Sequence, residues 1–230
     1  NHALLSAGGQ HQWWTVDGGS IEYVRRLEHR LRGNGVAIRK ATPVASVTRN
    51  GVQSVVHVEG QPAETFDHVV FACHSDQVLR MLAQPTRQET AALSAIRYQD
   101  NTAVLHCDPA LMPRRRACWS SWVYNGDTSQ EAPSMGVTYW MNRLQNIPEN
   151  DPLFVTLNPV REVAVDKTYD STVFRHPVFD RAAIKAQSAL RDLQGANNTW
   201  FAGAYTRHGF HEDGFASAVR IARQIDRQIA

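Results

Sequence analysis

The sequence predicts a mixed α/β plus α+β protein, in which two parts of an α/β domain flank an inserted antiparallel sheet with helices. Three observations carry this. Near its start a helical stripe leads into short strand candidates, and near its end an apolar strand runs through a glycine into an amphipathic helix. Between them lie short strand candidates separated by turn chemistry, with few long helical patterns. With 230 residues, 43% of them hydrophobic, the chain can bury one large core or two small ones.

Taken in order, residues 1 to 12 read as a loop, and Trp13 to Val16 as a short aromatic strand or extended segment. Asp17-Gly18-Gly19-Ser20 forms a turn, with the Ser20 hydroxyl as expected N-cap of a helix. Ile21, Val24, Leu27 and Leu31 share one helical stripe, and Gly33-Asn34-Gly35 ends it. Strands are expected at Val36 to Arg39, Val44 to Thr48, Val52 to Val58 and Phe66 to Cys73, with Asn50-Gly51 as a hairpin turn. The apolar run Val69 to Ala72 predicts burial on both faces.

Ser75 and Thr86 are the expected caps of two helices, Ser75 to Met81 or Leu82 and Gln88 to Ile96. Strand candidates follow at Thr102 to Cys107, Cys118 to Tyr124, Met135 to Met141, Leu153 to Thr156 and Tyr169 to Phe174, then a helix at Arg181 to Leu193. The closing segment is a strand at Trp200 to Ala202, corners at Gly203 and Gly209, and a helix entered through Glu212-Asp213-Gly214.

Composition removes several functional classes. A formal net charge of +2 offers no footprint for nucleic acid, and Arg114-Arg115-Arg116 reads as a solvated loop. No apolar stretch approaches the roughly 18 residues of a spanning helix. Cys73, Cys107 and Cys118 are far apart in sequence, which fits reduced thiols in a cytoplasmic protein. His208-x-x-His211-Glu212 is not the order of a zinc helix, Gly209 interrupts it, and no metal is expected. No G-x-S-x-G elbow supports a serine hydrolase. The opening Asn1-His2-Ala3-Leu4-Leu5 has neither an initiator Met nor a signal-peptide pattern, so the chain is expected to be a C-terminal fragment.

Four further pieces occur in order. Gly18-Gly19 precedes a helix carrying Leu27. Val36-Ala37-Ile38 and Pro43-Val44-Ala45-Ser46-Val47 follow. Asp67-His68-Val69-Val70-Phe71-Ala72 is the fourth. With the segment from Trp200 to Gly214, they resemble the flavin-dependent amine oxidoreductases, the superfamily of amine oxidases, protoporphyrinogen oxidase and phytoene desaturases. The resemblance covers residues 13 to 74 and 195 to 230 and implies the rest of an FAD-binding, Rossmann-like domain there, without its N-terminal βαβ unit. Residues 75 to 194 would be the inserted substrate domain.

The resemblance also implies FAD as cofactor, a small-molecule substrate, and hydride transfer from a substrate C–H to flavin. It places Gly18, Gly19, Val44, Ala72, Gly203, Glu212, Asp213 and Gly214 at the cofactor. His211 falls where an aromatic residue faces the flavin ring in amine oxidases, and a histidine there can exchange a proton near neutral pH. Each assignment has a plain alternative: Gly18 and Gly19 as a turn, Val44 as an ordinary strand residue, Glu212 and Asp213 as a favourable helix-dipole pair, His211 as a surface histidine. Tyr139, Trp140 and Asn142 are substrate-cavity candidates, with core packing as the alternative.

Two departures qualify the resemblance. The chain has no G-x-G-x-x-G, and Asp100 to Val104 has no lysine where many amine oxidases carry one. The substrate is expected to be an amine or, given the missing lysine, an unsaturated lipid. An exposed sheet edge would favour self-association. The competing reading is a non-catalytic module that holds a ligand or partner on a flavoprotein-like scaffold.

Overall fold

The computed structural model describes residues 14–127 and 134–229. Residues 1 to 12, expected as a loop, and Trp13 lie outside them. The chain forms two compact units, Asn1–Arg39 with Asn101–Phe174, and Lys40–Asp100 with Arg175–Ala230. The boundaries thus fall at 39/40, 100/101 and 174/175, where the sequence suggested 74/75 and 194/195.

In the first unit, α1 (Ser20–Gly33) forms as the periodicity predicts, with Glu22–Arg25 and Glu28–Arg32 ion pairs on its wet face. Its cap is Gly19, not Ser20, which is already helical, and no side chain caps the end. None of its residues is buried, and Ile21, Val24 and Leu27 stay about half exposed. Residues 14–16 and Val36–Arg39 are not strands, contrary to expectation. Strand propensity without a pairing partner leaves a chain irregular.

The rest of this unit is built on β6 (Trp122–Asp127), β7 (Ser134–Trp140), β8 (Phe154–Leu157) and the greater part of β5 (Tyr98–His106) and β9 (Thr168–Pro177), whose residues 98–100 and 175–177 fall in the second unit; the sheet order is β6-β7-β8-β5-β9. The β5–β8, β6–β7 and β7–β8 pairs are antiparallel, as the turn chemistry between them implied. β7 stops at Trp140 because Met141–Leu144 turns into a short helix, α4. The expected alternation therefore ends one residue early. Met112, Trp140 and Phe154 form the apolar centre, with Trp119 packed edge-on against both rings.

The second unit holds β1 (Val44–Arg49), β2 (Ser54–Val58) and β3 (Glu64–Phe66) as an antiparallel sheet, and β4 (Val69–Phe71) beside β10 (Thr199–Phe201) as a parallel pair. Asn50 closes the first hairpin, its Oδ1 accepting from the Val52 and Gln53 N–H groups. The single strand expected from Phe66 to Cys73 is two strands in two sheets, broken at Asp67-His68. Nor is its apolar part buried on both faces: Phe71 is buried, whereas Val70 is 44% exposed.

Helices α2 (Ser75–Met81), α3 (Arg87–Ser94), α5 (Arg181–Asp192) and α6 (His211–Ile229) complete the unit. Thr86 caps α3 as expected, accepting from the Glu89 N–H, while Glu89 accepts from the Thr86 N–H. His74, not Ser75, precedes α2. Val47, Phe71, Val78, Leu93, Leu190 and Phe201 lie at the centre of one apolar core. Each such side chain contributes about 1.5–3 kcal/mol by leaving water.

Candidate functional site

In the second unit the parallel pair sets the geometry. Thr199, Trp200 and Phe201 align with Val69, Val70 and Phe71, and the Ala202 N–H donates to the Phe71 carbonyl at 2.8 Å. Both strands therefore end on the same side. From that side one chain leaves through Ala72 and Cys73 to α2, the other through Gly203 to α6. Such carboxyl ends are where open α/β sheets take ligands.

Gly203 is required by packing. Its φ is 154°, and a Cβ there would stand 2.6 Å from the Tyr205 ring. Its N–H donates to Ser217 Oγ at 3.0 Å, and the Ser217 hydroxyl donates to the Gly214 carbonyl. A Cβ on Gly214 would sit 3.5 Å from the Ala204 nitrogen, so the first turn of α6 lies directly against the corner. The structure thus brings Gly203, Asp213 and Gly214 together.

Asp213 is buried, and its Oδ2 accepts from the N–H groups of His208 and Phe210 at 3.2 and 3.1 Å. Arg207 Nε lies 3.7 Å from its other oxygen. That carboxylate shapes the loop into α6. His211 and Glu212, in the first turn, and Ala72, after β4, are exposed. The positive end of a 19-residue helix beside two parallel strand ends suits the polar and anionic atoms of a dinucleotide cofactor. In that respect the residues fit flavin. The Asp213 carboxylate is already engaged, which leaves His211, Glu212 and the backbone of the first turn to meet a ligand.

A second group of residues follows β4 in the same unit. His74 stacks on Tyr98 with ring centroids 4.3 Å apart, and the Ser75 N–H donates to Tyr98 Oη at 2.8 Å. Arg175 also lies over the Tyr98 ring, 5.3 Å from its centroid, and pairs with Asp76 at 2.8 Å. Burial pushes the Tyr98 and Tyr205 hydroxyls up and the His74 ring down, although Asp76 opposes the last. Among the described residues, His74 Nδ1, Ser75 Oγ and Tyr205 Oη are buried without a hydrogen-bond partner. Sequence reasoning missed this group. Its members come from α2, β5, β9 and the turn after β10, and the only local hint was a histidine at the end of a strand.

The remaining candidates are placed as follows. Val44 opens β1 opposite Val58. Gly18 and Gly19, in the first unit, have φ of 82° and 85° and form the turn before α1. Trp140 and Asn142, also in the first unit, are buried. Asn142 Oδ1 accepts from Trp140 Nε1 and the Leu153 N–H, and its Nδ2 donates to the Pro148 and Asp151 carbonyls. All its polar capacity holds the segment between α4 and β8. Tyr139 is half-buried on the opposite face of β7. Another polar group lies within this sheet. His106 Nε2 meets Thr156 Oγ1 at 2.8 Å, Thr156 meets Thr138 at 2.9 Å, and His106 Nδ1 accepts from the Asp108 N–H.

Among the described residues no cluster of three metal-ligating side chains occurs, and no helix is long and apolar enough to cross a membrane. Cys73, Cys107 and Cys118 are free thiols.

Residues 2–108 match the family model of the flavin containing amine oxidoreductases. No curated protein matches the chain. Among solved structures, a protein from Exiguobacterium sp. 255-15 described as a protoporphyrinogen oxidase is similar with a TM-score of 0.63 and 15% identity, over 93% of this chain and 52% of its own. Putrescine oxidase bound to putrescine gives a TM-score of 0.57 and 13% identity, over 92% of this chain and 53% of that one. The fatty acid isomerase from P. acnes that produces CLA gives 0.54 and 14%, over 79% and 47%. The fold is shared with these oxidases and this isomerase, and the chain spans about half the length of each.

Proposed function

We propose that this chain, similar over residues 2–108 to the flavin containing amine oxidoreductases, contributes the flavin-ring end of an FAD site in an oxidoreductase. The observation that carries the reading is the parallel β4–β10 pair, whose shared carboxyl ends meet the exposed N-terminus of α6 through Gly203. On this reading the second unit supplies what the chain has of an incomplete Rossmann-like domain, and the antiparallel sheet of the first unit belongs to a substrate domain.

When bound, the flavin supplies the redox chemistry by accepting a hydride from a substrate C–H. The backbone N–H groups of the first turn of α6 orient the cofactor's polar edge, and Gly203 lets the backbone approach it. Asp213 fixes that turn in place through the His208 and Phe210 N–H groups. His211, exposed at the start of the helix, is the residue to give or take a proton beside the ring. The substrate class is an amine or, with no lysine between Asp100 and Val104, an unsaturated lipid. The chain by itself is expected to hold FAD weakly.

The native full-length protein tests this. It should be yellow, or take up added FAD with quenching of flavin fluorescence; a colourless protein that cannot be reconstituted ends the reading. In that protein His211→Ala should slow flavin reduction under single-turnover conditions by about 10²-fold or more, the usual contribution of a positioned acid or base. An unchanged rate removes His211 from the chemistry.

A further inference from the structure

A cleft of about 320 Å³ opens between α5, the loop after β10 and α6, within the second unit. Its charge comes from Arg191 on α5, Arg207 in the loop and Arg220 on α6, and no carboxylate is among its lining residues. Its floor includes Leu190, Phe201 and Ile221, each at most 4% exposed. Two glutamines fix the walls. Gln187 Nε2 donates to the Tyr205 and Arg207 carbonyls, and Gln194 both donates to the Phe201 carbonyl and accepts from its N–H.

We propose that this cleft binds a small phosphate-bearing ligand. Three arginines, from three separate elements, line one hollow in a chain whose formal charge is only +2. Arg207 is partly neutralised by Asp213 at 3.7 Å. Among the described residues Arg191 and Arg220 make no ion pair; Arg191 has the Ser188 hydroxyl at 3.2 Å. Two uncompensated charges favour a dianion over a monoanion. The planar fork of arginine matches phosphate oxygens, and the apolar floor limits screening from beneath. The volume lies at the small end of ligand pockets, which suits a phosphomonoester of modest size rather than a nucleotide pair. The cleft shares Arg207 and Ser217 with the loop and corner that lead into α6, but neither His211 nor Glu212 of its first turn lines it.

Inorganic phosphate is the probe. At constant ionic strength of about 0.15 M, where bulk screening is equal, phosphate should raise the melting temperature of the full chain and saturate in calorimetry, and chloride should not. The double substitution Arg191→Gln, Arg220→Gln should weaken phosphate binding at least about tenfold while leaving the melting temperature in chloride unchanged, since both side chains are exposed and unpaired. Should that variant fold poorly, phosphate-induced shifts of the arginine Nε–H resonances in the wild-type chain provide the second readout. They should be confined to Arg191, Arg207 and Arg220. The proposal is overturned if phosphate stabilises no more than chloride, if the variant retains wild-type affinity, or if other arginines report the binding.

Discussion

Arg49 and Glu89 form a buried, two-pronged ion pair, with Nη2 to Oε2 at 2.9 Å and side chains only 6% and 2% exposed. It joins the end of β1 to the first turn of α3. The same guanidinium donates to the Gln84 carbonyl and to Thr199 Oγ1 at the start of β10, so one side chain ties three elements of the second unit.

Breaking this pair from one side should be costly. Glu89→Ala leaves a buried guanidinium uncompensated and removes the acceptor of the Thr86 N–H. It should destabilise the fold by about 3–5 kcal/mol. The joint replacement Arg49→Met, Glu89→Leu should cost much less than the sum of the singles. Urea unfolding of the four proteins measures both, and additive losses would mean that the two residues do not act as a pair.

Two buried groups give stability a defined pH dependence. Burial lowers the basicity of His106, with Asp108 opposing, so the unfolded chain takes up a proton there before the folded chain does. Unfolding free energy should therefore fall as pH drops below about 6.5, the ordinary histidine value. A His106→Gln variant should lose that part of the slope. Burial also pushes the Glu89 carboxyl up, but its hydrogen bonds from Arg49 and Thr86 outweigh this and hold it below the ordinary glutamate range. The stability it contributes is complete above about pH 4.3 and disappears as pH falls through its lower, folded value. Chemical unfolding across pH 3 to 8, roughly the span of these groups, separates the two.

Asn142→Ala should destabilise the first unit by about 2–4 kcal/mol, since it strands the Leu153 N–H and two carbonyls that the side chain now satisfies. Hydrogen exchange should show faster opening between residues 143 and 153. If, on the proposed function, substrate affinity fell in the Asn142→Ala protein with no change in that protection, Asn142 would be a binding residue rather than a staple.

Gly203→Ala should cost about 1–3 kcal/mol through overpacking against the Tyr205 ring. Tyr205→Phe, by contrast, removes a buried hydroxyl that has no partner among the described residues. It should leave thermal stability unchanged or raise it. A marked loss of stability in that variant would show that the hydroxyl is satisfied in solution.

Local chemistry was legible where it needed no partner. The Thr86 cap of α3 and the Asn50-Gly51 hairpin depend on residues a few positions apart and appear as the sequence predicts. The corner from β10 through Gly203 into α6 was legible for the same reason. The helices α1, α5 and α6 form as well, but their packed faces follow their neighbours: α1 buries no residue, and Ile184 and Phe215 are exposed whereas Ala183, Ala186 and Ile221 are buried. Val36 to Arg39 and Phe66 to Cys73 were misread because a strand exists only when another strand accepts its hydrogen bonds. The break at Asp67-His68 depends on which sheet each half joins, and no local pattern encodes that choice.

The sequence by itself determined the helices α1, α2, α3, α5 and α6, the glycine corner at Gly203 and the family likeness, all of which rest on short-range pattern. Tertiary structure alone decided which polar groups are spoken for. It engaged Asp213 in its own loop and Asn142 in the segment before β8, left His211 and Glu212 exposed, and drew Arg191, Arg207 and Arg220 into one cleft. A side chain's availability depends on neighbours supplied by distant segments, because a buried polar group must find its partner wherever the packed chain provides one.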